Sequence, residues 1–118
     1  MAEGEIKSLT KPDETRRFGH GQMELVQIAG GSVGRATFEP GWRWSQDVKP
    51  IAKTELCEVN HFLYQVSGRM RVRMEDGSEM ETGPGDVAVI PGGHDAWVVG
   101  DEAVVVIDWG GAAHYAER

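Results

Sequence analysis

From residue 22 onward the chain alternates apolar and polar positions in short runs, each stopped by glycine, proline or a tight-turn pair. Alternation with a period of two puts successive side chains on opposite faces of a strand. QMELVQI (22–28) ends at Ala29-Gly30-Gly31, and SVGRATF (32–38) ends just before Pro40 and Gly41. In RMRVRM (69–74), Arg69, Arg71 and Arg73 fall on one face and Met70, Val72 and Met74 on the other. That pattern predicts a strand with one wet and one dry side. EDGS reads as a turn and EMETG as the short return strand. GDVAVIPGG and HDAWVVGD hold two more short strands, and EAVVVIDWGG a β-branched one expected to be buried. WRWSQDV also reads as extended, with Trp42 and Trp44 on a common face. No stretch carries a convincing helical period. Short strands at regular spacing predict an all-β sandwich or barrel.

Residues 1–20 are polar and charged, with weak periodicity. They are expected to form an arm, ordered by packing on the barrel or on a partner subunit. Residues 21–118 then form the barrel domain. A length of 118 residues suffices for one domain with one core, and sixteen glycines and five prolines suit a turn-rich chain. The formal net charge of -7 repels phosphate backbones, so nucleic acid is not an expected partner. A single cysteine forms no internal disulfide and requires no oxidising compartment. No apolar run suggests a signal peptide or a bilayer span. A cytoplasmic protein with no membrane partner is the expectation.

The candidate chemistry sits in TELCEVNHFLYQVSG (54–68). On one continuous strand Glu55, Cys57, Val59, His61 and Gln65 would share a face, and Phe62, Tyr64 and Val66 the other. Thiolate, imidazole and carboxylate are all ligands for zinc or another divalent transition ion. The same residues have a plainer reading, as a small buried hydrophobe beside a hydrogen-bonded core histidine. His94 directly follows the turn signals of GPGDVAVIPGG, where it either points inward or faces solvent. Four tryptophans are many for this length, and most are expected to fill the core. Trp44 and Trp97 are the two placed to stack on a ligand at a barrel mouth.

Taken together, these stretches resemble the cupin superfamily. Glu55, Cys57, His61 and Gly68 stand at the spacing of the His, His, Glu and Gly of that family's first motif. Gly85, Pro91 and Gly93 match the start of its second motif. The likeness covers roughly residues 22–109. None of the first-motif ligand positions carries the family's usual residue. Ala96 occupies the second motif's histidine position, with His94 two residues earlier on the same strand phase. The resemblance implies an all-β, cupin-like double-stranded β-helix, or jelly-roll, barrel of the small single-domain type. It also implies a metal site, for which Cys57, His61 and His94 are the candidate ligands, with Glu55, Gln65, Trp44 and Trp97 about a ligand pocket. The guest would be a divalent transition metal: zinc, iron, nickel or manganese. The activities implied are those of a metal-dependent isomerase, lyase or dioxygenase acting on a small organic molecule inside the barrel. The alternative is a non-catalytic ligand-binding or sensor cupin without metal. Small cupins bury open edges against a second copy, so a homodimer is expected, with the N-terminal arm available as a swapped strand.

Overall fold

The structure is a computed structural model that describes residues 3–112 and 114–117. Among these, nine strands run in order: β1 (Glu14–Phe18), β2 (Gly21–Ile28), β3 (Gly31–Phe38), β4 (His61–Ser67), β5 (Arg69–Met74), β6 (Glu79–Thr82), β7 (Val87–Ile90), β8 (His94–Val99) and β9 (Val104–Asp108). They form two antiparallel sheets, ordered β1-β2-β3-β9-β4-β7 and β6-β5-β8. Alternation explains how the sheets close on each other. Met23 and Leu25 of β2, Ala36 and Phe38 of β3, Leu63 of β4, and Val104 and Val106 of β9 point inward from the first sheet. Met70 and Val72 of β5 and Ala96 of β8 meet them from the second. All of these are buried, and together they make one core of the jelly-roll kind.

The outer side of the smaller sheet is wet, as the arginine row requires. Arg69 pairs with Glu81, and Arg71 with Glu79 and Glu81, across the β5–β6 ladder. These exposed pairs hold register and solubility more than stability.

Two expectations are corrected. The WRWSQDV segment is not a strand: α1 (Trp44–Asp47) and α2 (Lys49–Ala52) are single helical turns. Side-chain carboxylates take the backbone donors that a sheet ladder would have used. Asp47 accepts from the Arg43 N–H at 3.0 Å and Asp95 from the Ser45 N–H at 3.0 Å. Such local side-chain bonds favour a turn over extended chain. Trp42 and Trp44 are both buried nonetheless. The segment 54–60 is not the front half of β4 either; apart from a single bridge between Cys57 and His94 it is loop. The second half of the arm packs on the barrel of its own chain, where β1 pairs with β2 over its whole length.

Candidate metal centre

β4 opens with His61 and β8 opens with His94, and both rings turn inward. The Cys57 loop is tied to the start of β8 by three backbone bonds: the Cys57 N–H donates to the His94 carbonyl at 2.8 Å, and the Cys57 carbonyl accepts from the Gly93 N–H at 2.7 Å and the His94 N–H at 3.3 Å. Three side chains from a loop and two sheets therefore meet at one end of the barrel. Cys57, His61 and His94 are all buried, and one ligand atom of each lies within 4.8 Å of the others. Cys57 Sγ is 3.7 Å from His61 Nε2.

The partners of the imidazoles decide which nitrogen is free. His94 Nδ1 lies 2.7 Å from the Pro91 carbonyl oxygen, which can only accept, so Nδ1 carries the proton. His61 Nδ1 lies 2.5 Å from Asp108 Oδ2, the last residue of the neighbouring strand β9, and donates to that carboxylate. Each ring thus has Nδ1 committed and Nε2 left to ligate, the usual outer-shell arrangement around a histidine that holds metal. Tetrahedral bonds of ordinary length to sulfur and imidazole place donor atoms about 3.4–3.6 Å apart. The Cys57–His61 pair, at 3.7 Å, lies close to that spacing, and the residues fit the metal that the resemblance implies.

Burial alone would push the Cys57 thiol up, but hydrogen bonds from His61 and His94 outweigh it and bring it from 9.0 down to about 6. Burial would push the His61 imidazole down, but the Asp108 carboxylate and then Cys57 raise it from 6.5 to about 9. Asp108, despite its burial, is held below the usual carboxylate range by His61 and by the Gly111 and Gly110 N–H groups. Without metal, then, the site is a buried thiolate–imidazolium pair leaning on a carboxylate.

A cavity of about 30 Å³ adjoins the site. Its polar lining is His61, His94 and Asp108, and its aromatic lining includes Trp42, Trp44 and Tyr115. Trp42 Nε1 and Tyr115 Oη are buried with no hydrogen-bond partner among the described residues. Tyr115 sits on a turn beyond β9, with its ring centroid 5.5 Å from that of His61. The turn is anchored because Asp108 Oδ1 accepts from the Gly110 and Gly111 N–H groups, and Arg16 donates to the Tyr115 carbonyl. Burial first, then the negative charges of Cys57 and Asp108, raise the Tyr115 hydroxyl well above its ordinary value. It stays protonated, a donor.

Of the residues proposed from sequence, the structure brings together Cys57, His61 and His94, and it sets Trp44 on the cavity wall. Glu55 is not there. Its side chain is 91% exposed and pairs with Lys49 at 2.9 Å, because the loop around it does not keep a strand's alternation. Trp97 is partly buried under the Arg43 guanidinium at 4.3 Å and does not line the cavity. Gln65 faces inward on β4 but does not line the cavity; its amide nitrogen donates to the carbonyls of Gly68, Ser67 and Thr82, and its Oε1 is buried with no partner among the described residues. Asp108 and Tyr115 were not assigned from sequence. Asp108 had a signal, an acid on the inward phase of Val104 and Val106. Tyr115 had none, since no periodicity extends past β9.

An antiparallel jelly-roll whose inward histidines gather at one barrel end defines a cupin. The description of the EutQ-like cupin domain matches residues 42–107, and the chain belongs to that family. No curated protein matches it. Among solved structures it is similar to the formate complex of oxalate decarboxylase from Lactobacillus farciminis, with 19% identity and a TM-score of 0.60. That match covers 86% of this chain but 32% of the other, so the chain spans about a third of that enzyme. It is also similar to a protein of unknown function from Rhizobium leguminosarum, with 16% identity, a TM-score of 0.61, and 92% and 99% of the two chains covered. A third is Bacillus subtilis oxalate decarboxylase, described with Mn(II) centres: 22% identity, TM-score 0.57, 89% of this chain and 28% of the other. At these identities the likeness concerns the fold. No helix among the described residues is long and apolar enough to cross a membrane.

Proposed function

We propose that this chain is a small metal-dependent cupin that acts on, or senses, a small oxygen-bearing molecule at a divalent transition ion held by Cys57, His61 and His94. The observation that carries the reading is the convergence of three buried donors with both Nδ1 protons already committed. When bound, such an ion supplies Lewis acidity toward a ligand oxygen. One thiolate and two imidazoles suit zinc, iron or nickel better than manganese, which prefers oxygen donors.

The chain's own residues do the rest. Asp108 fixes the tautomer of His61 and neutralises any charge it carries. Tyr115 and Trp42 offer unmatched N–H and O–H donors to a ligand in the cavity. Apolar walls exclude water, which strengthens each of these interactions. A cavity of about 30 Å³ limits the ligand to a few heavy atoms unless the Tyr115 turn moves aside. That favours chemistry on a small acid or oxygen species, by isomerase, lyase or dioxygenase routes, over accommodation of a drug-sized molecule. A second reading, a metal-free sensor, is favoured by one observation: the Cys57–His61 pair is internally satisfied by charge and hydrogen bonding. The reading also places the protein in the cytoplasm as a homodimer.

Elemental analysis of protein purified without chelator separates the two. Near-stoichiometric metal that is lost in Cys57→Ala supports the metal reading. Less than about a tenth of an equivalent after attempted reloading removes it in favour of the sensor.

A further inference from the structure

One wall of the cavity is held differently from the rest. Among the described residues that line it, all but Trp42, Trp44 and Tyr115 lie on strands, where ladder bonds hold them. Trp42 is tied to β8, its carbonyl accepting from the Val98 N–H at 3.1 Å. Trp44 opens α1, its carbonyl accepting from the Val48 N–H at 3.0 Å. Tyr115 belongs to no strand and to neither helical turn. Its N–H reaches the Gly111 and Ala112 carbonyls at only 3.2 and 3.4 Å, and its Oη has no partner among the described residues. Packing keeps the ring in place, edge-on to Phe18 with centroids 5.8 Å apart and to Phe38 at 6.2 Å.

Beyond Tyr115 lies a groove of about 190 Å³, lined by Val48 and Ala52 on one side and by Val59 and Ala116 on the other. Trp44 and Tyr115 line both the groove and the cavity. Cys57 also lines the groove, while its sulfur lies 3.7 Å from Nε2 of His61, which lines the cavity. A tyrosine ring therefore stands between outside space and the ligand atoms.

We propose that Tyr115 is the gate of the metal centre, that the groove is the way in, and that Arg16 is the latch that sets how often the gate opens. The inference concerns access to the site put forward above and holds with or without metal there. The base of the Tyr115 turn is fixed. A Cβ on Gly110 would lie 2.5 Å from the Phe62 nitrogen, and one on Gly111 would lie 2.1 Å from Val59 Cγ1, so the chain lies flush against β4 and its loop. Asp108 takes both glycine N–H groups there. The other end is held by a side chain. Arg16 Nη1 donates to the Tyr115 carbonyl at 2.9 Å and to the Ala112 carbonyl at 3.4 Å, while Glu14 accepts from the same guanidinium at 2.7 and 3.2 Å. Such charge-assisted bonds are stronger than neutral ones, yet they can break without disturbing a strand, since β1 keeps its ladder to β2. Swinging Tyr115 outward strands no polar atom of its side chain: Oη is unmatched when closed and meets water when open. Opening is thus a local event, well below global unfolding in cost. With the ring aside, the cavity of about 30 Å³ joins the groove, and a ligand of more than a few heavy atoms can enter.

The test uses Cys57, the only cysteine, which is 2% exposed and so reacts only when something opens. Metal-stripped full-length protein is treated with dipyridyl disulfide, and the labelling rate is compared with that of the unfolded chain. In the wild type, labelling is expected to depend on denaturant far more weakly than global unfolding does. Arg16→Ala is expected to speed labelling about 10- to 100-fold, the loss of a charged donor's bonds. Tyr115→Ala is expected to speed it by at least as much. Tyr115→Phe is expected to label like the wild type, because the ring closes the wall and the hydroxyl has no partner to lose. Wild-type labelling with the denaturant slope of global unfolding overturns the proposal, whether or not the variants fold. So do folded Arg16→Ala and Tyr115→Ala proteins that label within about twofold of wild type. Metal content, measured on protein that was never stripped, decides the metal reading separately, so the two can fail independently.

Discussion

Asp108→Asn tests the link between strand β9, beside His61 in the same sheet, and metal affinity. In the wild type, Asp108 Oδ2 accepts the Nδ1 proton of His61 at 2.5 Å, while Oδ1 accepts the Gly110 and Gly111 N–H groups at 2.8 and 3.2 Å. An asparagine can keep only one of these roles with its oxygen. The two backbone donors hold that oxygen, so the amide NH₂ turns toward His61 and meets Nδ1–H donor to donor. The ring relieves this by moving its proton to Nε2, the nitrogen that faces Cys57 and would ligate metal. The variant thus loses the correct tautomer and a negative charge near the ion, and keeps the turn. Outer-shell changes of this kind lower affinity about 10- to 100-fold, or roughly 1.4–2.8 kcal/mol. The assay is competition for zinc against a chromophoric chelator near neutral pH, beside a thermal unfolding scan of both apo-proteins. Affinity within about twofold of wild type, in a folded variant, would refute the argument and leave Asp108 as a brace for the C-terminal turn.

Zinc binding should release close to one proton between about pH 6 and 9, because Cys57 is already a thiolate there while His61 must lose its proton. Calorimetry in buffers of different ionisation enthalpy reads the number directly, and none released would contradict the paired state. Stability of the apo-protein should be nearly flat over the same range. His61, raised to about 9, contributes stability fully present below 6.5 and lost as pH rises through 9; Cys57, lowered to about 6, contributes stability present above 9.0 and lost as pH falls through 6; the two slopes cancel. Cys57→Ser removes one slope, so denaturant titrations should show stability falling by roughly 1 kcal/mol per pH unit above 6.5. Tyr115→Phe should be neutral or slightly stabilising in the apo-protein, since it deletes a buried hydroxyl with no partner, and should weaken binding of a small carboxylate such as formate. Gly68→Ala should cost about 2–4 kcal/mol by chemical denaturation: φ is +75°, and a Cβ would lie 2.6 Å from the Ala103 carbonyl oxygen.

The strands were legible because each needs only a local pattern and a stop. Met70, Val72 and Met74 alternate with the arginines, and the ladder follows. The segment 42–60 was not legible, because its conformation is set by partners far away in sequence. Asp95 holds the Ser45 N–H, and His94 holds Cys57, so neither strand periodicity nor helix propensity describes what the chain does there. Cys57 and His61 show the difference. Strand alternation would put Glu55 beside them, and Glu55 is in solvent; the two meet because the Cys57 loop is pinned to β8 while His61 begins β4. The family spacing found Cys57 and His61 but shared the error over Glu55, and it pointed to Ala96 where His94 is the inward histidine. It could not supply Asp108 or Tyr115. One acts through a histidine on a neighbouring strand, and the other arrives from a turn held by Arg16 and by Asp108 itself. A carboxylate that both orients the ligating ring and anchors the turn over it couples metal affinity to closure of the cavity. Nothing in a linear pattern encodes that coupling, because each of its bonds joins residues from different elements.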